Sequence, residues 1–107
     1  KLIEDLRKAL AQIPPWIHVI VGNCGPFGGD ANWTQDRQNI AEAFNEALHD
    51  IKRIDWVLDV RSVIDANDNF TIDSHLQNGA DRIHPNAAIA GGQIAARLHY
   101  HVQGIYS

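Results

Sequence analysis

The chain has 107 residues, 45% of them hydrophobic, and a formal net charge of -4. That makes one small globular domain at most and excludes disordered and collagen-like classes. Acidic residues scattered along its length argue against a nucleic-acid or anionic-membrane surface, and a neutral or weakly charged ligand fits better. No apolar run approaches the roughly 20 residues that span a bilayer, and the N-terminus lacks the basic-then-apolar pattern of a signal peptide, so the composition predicts a soluble chain with no membrane span.

The single cysteine, Cys24, has no partner for an internal disulfide and leaves the redox compartment open. Asn32-Trp33-Thr34 and Asn69-Phe70-Thr71 match the glycosylation acceptor pattern, but such triplets arise readily in a chain rich in Asn, so secretion also stays open. The sequence contains no methionine and opens at Lys1 inside an amphipathic pattern with no capping residue ahead of it. The expectation is a piece of something longer.

Leu2, Ile3, Leu6, Leu10 and Ile13 recur at helical spacing, and Pro14-Pro15 forbids continuation, which predicts a first helix stopped hard. Trp16 to Val21 is a nearly unbroken apolar, β-branched run and predicts a buried parallel strand, ending in the loop Gly22 to Gly29. Thr34 is placed to cap a second helix with Asp36 in its first turn; Ile40, Phe44, Leu48 and Ile51 mark its apolar stripe down to Lys52 and Arg53. Trp56 to Val60 predicts a second strand. Residues 61–80, rich in Asp, Asn, Gly and Ser, predict a long functional loop. A last helix is expected from about Asn86 to Val102, with Ile94, Leu98 and Val102 facing inward. The order helix, strand, helix, strand, loop, helix predicts an α/β layered fold with a parallel sheet. Two parallel strands alone are marginal and need cover on both faces, so further strands must come from elsewhere.

Chemistry concentrates in Asp81-Arg82-Ile83-His84-Pro85-Asn86, expected in the loop before the last helix. A carboxylate three residues ahead of a histidine can fold back to accept the Nδ1 proton and leave Nε2 as a base. The bland reading of the two is a surface pair that caps the final helix. Acyl transfer also needs a nucleophile and oxyanion donors, which the sequence does not supply. Cys24, just past the carboxyl end of a predicted strand, makes a Cys-His-Asp triad a weak third reading, though a small buried thiol is the commoner fate. The Gly22 to Gly29 loop lacks phosphate-cradle spacing and is expected to wall a cleft, with Asn23, Cys24, Phe27 and Trp33 as candidate lining and Phe27 and Trp33 as apolar or sugar-stacking surfaces. Trp16 and Trp56 are expected in the core, and Asp59 and Asp65 are read as residues that close turns. His99 and His101, two apart on a helix, face different ways and with His75 predict surface histidines rather than a metal site.

The element order, together with Asp81-Arg82-Ile83-His84-Pro85-Asn86 at the last loop-to-helix junction, resembles the C-terminal half of the SGNH (GDSL-type) hydrolases. Leu2 to Pro26, Ile40 to Asp59 and Asp81 to Asn86 follow that layout in order, nearly the whole chain. Arg82 stands where the family usually has Gly, and Ile89, with Gly91-Gly92 slightly later, where it has a Gly in the first turn of the last helix. The resemblance implies a three-layer α/β/α fold with a parallel, flavodoxin-like sheet, of which this chain supplies only the C-terminal strands and helices. It implies His84 as catalytic base and Asp81 as its orienting acid, with no metal or organic cofactor. The nucleophilic serine of a Gly-Asp-Ser segment and the oxyanion Gly and Asn are absent: Ser62, Ser74 and Ser107 lack that context, and Gly22-Asn23 follows the wrong strand. An N-terminal segment or partner chain carrying the serine is therefore expected, and the implied reaction is hydrolysis of a carbohydrate or lipid ester, such as a deacetylation. The alternative, from a different class, is a non-catalytic module that binds a glycan or a protein on a hydrolase-like scaffold, which fold alone does not separate.

Overall fold

The structure is a computed structural model that describes residues 2–26, 28–78 and 81–106, the side chains of 81–83 and 106 excepted. Within those residues it is a mixed α/β molecule with four helices and a small parallel sheet. Helix α1 spans Leu2–Leu10 and ends before Pro14-Pro15, as their missing N–H groups require. Strand β1, Ile20–Gly22, pairs in parallel with β2, Trp56–Leu58, in the register Ile20 to Trp56, Val21 to Val57 and Gly22 to Leu58. Helix α2, Gln35–Leu48, makes the crossover between them that a parallel pair requires.

The Thr34 hydroxyl caps α2 by accepting from the Arg37 N–H at 3.1 Å. Leu10, Val19, Leu48 and Ile51 form a buried cluster that joins α1, α2 and the sheet, with Ile3, Leu6, Phe44 and Val57 packed against it. A second cluster, Val63, Ile64, Ile72, Leu76 and Ala90, holds together the part of the chain beyond β2. Trp56, one residue before Val57, stacks on His101 of α4, Ala90–Tyr106, so consecutive residues of β2 meet helices on opposite sides.

Several expectations need correction. The strand predicted over Trp16 to Val21 is confined to Ile20–Gly22 because Arg53 captures the preceding chain: its Nη2 donates to the Pro14 and Ile17 carbonyls at 2.7 and 2.9 Å, leaving them unavailable to a neighbouring strand. Trp16 is consequently 82% exposed rather than in the core. Ile40, expected on the inward stripe of α2, is 63% exposed, whereas Leu48 is fully buried. Residues 61–80 are not one loop. Val60, expected to close the second strand, instead opens α3, Val60–Ile64, because Asp59 caps a helix there, and a single 3-10 turn at Ser74–Leu76 and β3, Gln77–Asn78, follow. Strand β3 pairs antiparallel with β4, Asp81–Pro85, so the Asp81 to His84 segment is extended, and the last helix starts at Ala90 rather than near Asn86.

The accessible surface, 7009 Å², exceeds the about 5,900 Å² of a closed monomer of this mass. The radius of gyration, 15.0 Å, likewise exceeds the about 13 Å of a compact domain. Leu2, Trp16, Ile40, Ile89 and Tyr100 carry much of the exposed apolar surface. Burial on α2 makes a direct comparison: Leu48→Ala is expected to cost about 2–5 kcal/mol, and Ile40→Ala less than about 0.5 kcal/mol, in urea unfolding. Equal losses at the two positions would show that the helix packs in a different rotation.

Candidate functional site

In a parallel sheet the carboxyl ends of neighbouring strands and the loops that leave them form the usual crevice for ligands. Here β1 and β2 lead directly into Asn23 and Asp59, and a cleft of about 380 Å³ opens there, walled by Glu42, Asn45 and Glu46 of α2, by His49 just after it, and by Arg61 and Ser62 of α3. Asn23 bridges the strand ends: its Nδ2 donates to Asp59 Oδ1 at 2.9 Å, and its Oδ1 accepts from the Arg61 N–H at 2.9 Å. Asp59 caps α3, accepting from the Ser62 N–H at 3.1 Å and from its hydroxyl at 2.7 Å. Partial burial works against its charge, but the bonds from Ser62 and Asn23 and the positive charge of Arg97 outweigh it and hold the Asp59 carboxyl below the usual range.

Beneath the cleft Arg61 is buried and engaged on every branch. Its Nε donates to Glu42 at 2.9 Å, Nη1 to Asp65, and Nη2 to Asp68 at 2.9 Å. Asp65, 2% exposed, in turn accepts from the Asn69 and Phe70 N–H groups at 3.1 and 2.9 Å. The Phe70 ring lies 5.6 Å from the guanidinium carbon. Burial alone would lower the Arg61 pKa, yet the Glu42 and Asp65 carboxylates raise it above its ordinary value. Three carboxylates thus outnumber its single positive charge, so the wall is net negative and the guanidinium offers an anionic ligand no uncompensated positive charge. The wall suits a neutral, hydroxyl-bearing ligand.

Among residues singled out from the sequence, Asn23 lines this cleft, while Cys24 sits beside it with its backbone clamped by Asn45, whose Oδ1 accepts from the Cys24 N–H at 2.8 Å and whose Nδ2 donates to the Cys24 carbonyl at 3.0 Å. Burial first, and Glu42 second, push the Cys24 thiol up, which opposes a nucleophilic role although the residue as a whole is exposed. Trp33 is half-buried; its Nε1 donates to Gln38 at 3.3 Å and its ring lies 6.3 Å from that of Phe70, centroid to centroid. Phe27 lies outside the described residues, as does the side chain of Asp81 and with it the expected contact to His84. His84 is exposed on β4. The Asn86 side chain closes the turn after β4, accepting from the N–H groups of Ala88 and Ile89 at 2.8 and 3.0 Å.

Arg61 and Asp65 are the site residues least visible in the sequence: a buried pair four apart on a short helix, in a stretch whose composition resembles loop. Asp65 does more than close a turn. His101 meets His18, not His99 or His75. No helix among the described residues is long and apolar enough to cross a membrane. No family model, curated protein or solved structure matches the chain.

Arg61→Ala leaves the Asp65 carboxylate buried without its counter-charge and is expected to cost about 3–5 kcal/mol in chemical unfolding. A loss within about 0.5 kcal/mol, the range of ordinary surface substitutions, would show that the pair is solvated. With its thiol pushed up, Cys24 should react with iodoacetamide at pH 7.5 more slowly than free cysteine, and faster reaction would reveal an activated thiolate.

Proposed function

We propose that this chain forms the base-bearing half of an SGNH-type ester hydrolase with a three-layer α/β/α fold, with His84 as general base and Asp81 as its orienter. The observation that carries the reading is the position of His84: exposed, in the Asp-x-x-His-Pro-Asn segment, on the strand that precedes the last helix. The parallel β1-α2-β2 unit and the polar crevice at its carboxyl end support the same scaffold. An N-terminal segment or partner chain brings the nucleophilic serine and the oxyanion donors, and covers the apolar surface around Leu2, Trp16 and Ile40.

In this mechanism His84 Nε2 takes the serine proton as the hydroxyl oxygen attacks the ester carbonyl, then returns it to the departing alcohol. It next activates the water that cleaves the acyl-enzyme. The net negative charge of the Arg61 wall disfavours an anionic substrate, which supports a carbohydrate ester over a phosphorylated or carboxylated one. One observation favours the non-catalytic reading: the polar cleft is assembled within this chain, whereas its Ser62 hydroxyl is committed to capping through Asp59.

Intact mass of the native protein, with p-nitrophenyl acetate hydrolysis by the wild type and His84→Ala, tests the proposal. The substitution should lower kcat by about a hundred- to ten-thousandfold. Activity unchanged by it removes His84 from the mechanism, and glycan binding without any esterase activity selects the binding module.

A further inference from the structure

At the amino end of the sheet, opposite the polar cleft, His18 and His101 meet across 83 residues of sequence with their Nε2 atoms 3.0 Å apart. Their ring centroids are only 5.2 Å apart, so the two nitrogens lie between the rings and face each other. We propose that this imidazole pair is a bidentate site for a borderline divalent transition metal, binding Cu²⁺ more tightly than Zn²⁺.

Geometry and surroundings both support the site. Metal–nitrogen bonds of about 2.0–2.1 Å separate two ligand nitrogens by about 2.9 Å at a right angle and about 3.3 Å at a tetrahedral one. The observed separation falls between these values, so a tilt of the rings rather than a backbone shift brings both lone pairs onto one ion. His101 is held by stacking on Trp56, with centroids 3.9 Å apart and planes 7° from parallel. On the other ring, His18 Nδ1 lies 3.9 Å from Asp55 Oδ2, and that carboxylate is anchored by the Val19 N–H at 2.7 Å and Arg53 at 3.3 Å. At 3.9 Å that carboxylate is beyond hydrogen-bond reach of Nδ1, but it stands on the side of the ring from which carboxylates orient imidazole ligands in metal sites. Imidazole pairs suit copper, nickel and zinc, with copper highest in the affinity order.

Two nitrogens are fewer than a resident metal site uses, and no group of three or more His, Cys, Asp or Glu among the described residues is arranged to hold an ion. Water completes the coordination, and the ion exchanges with solvent. Because the ligands come from the chain ahead of β1 and from α4, a bound ion ties that helix to the sheet and stabilises the folded state by linkage. The site uses neither Asp81 nor His84 and stands independently of the hydrolase reading.

The test is titration of the full chain with CuCl₂, read by tryptophan fluorescence, since Trp56 stacks directly on one ligand. Saturable one-to-one quenching is expected in the wild type, with affinity more than about tenfold weaker in His18→Gln and in His101→Gln, and unchanged in His99→Gln. Equal affinity in all four proteins overturns the site. A second measurement needs no variant: ZnCl₂ should shift the imidazole ¹⁵N resonances of His18 and His101 ahead of those of His49, His75, His84 and His99. Uniform shifts across the histidines, or none, also overturn it.

Discussion

The buried guanidinium of Arg61 is the constraint on which the rest of this structure depends. A charge cannot be placed out of water at tolerable cost unless its hydrogen-bonding directions are filled, and here Glu42, Asp65 and Asp68 fill them. Those three carboxylates come from α2, from the end of α3 and from the turn after it, so satisfying one side chain fixes three pieces of chain. Asp65 extends the effect by accepting the backbone N–H groups of Asn69 and Phe70. Phe70 has a positive φ of 67°, an uncommon conformation for an aromatic residue, and the Asp65 bond to its N–H is part of what holds it there. The floor of the cleft is therefore held together by charge-assisted hydrogen bonds rather than by apolar packing.

The two ends of the sheet have different chemistry because the strands are parallel. Their carboxyl ends present Asn23 and Asp59, hydrogen-bonded to each other and to the first turn of α3. Their amino ends present His18, Asp55 and Trp56, met by His101 of α4. The same helix serves both ends, since Arg97, one turn before His101, supplies positive charge near Asp59. Loosening α4 would thus disturb the acid at one end and the imidazole pair at the other.

Elements with strong local signals are legible in the sequence, and those set by distant partners are hidden. Thr34, Asp36, Phe44 and Leu48 mark α2 well, because capping and periodicity are local, but the helix ends at Leu48 and not at the Lys52 and Arg53 that the stripe through Ile51 predicts. The helix-strand-helix-strand order and the parallel pairing are likewise legible, whereas the full three-layer arrangement goes beyond the elements present here. The first strand is shorter than its residues predict: Trp16, Ile17 and His18 have strand-forming side chains, while the groups that decide their fate, Arg53 and Asp55, lie 35 or more residues away. Helix α3 is hidden by its length, since five residues carry too little periodicity to be seen among Asp and Asn neighbours. Of the cleft, Asn23 is visible from its place after a strand, but Arg61 is not, since an arginine is normally a surface residue until its counter-charges are known.

Native-state hydrogen exchange at the Asn69 and Phe70 amides is the most direct measure of whether Arg61 and Asp65 organise this region. Both amides lie in a turn-rich segment that composition alone assigns to solvent. If the buried pair holds them, they exchange orders of magnitude more slowly than unstructured peptide. Exchange at the unstructured rate, with α2 still protected, would contradict the account and leave the cleft floor as an ordinary surface loop.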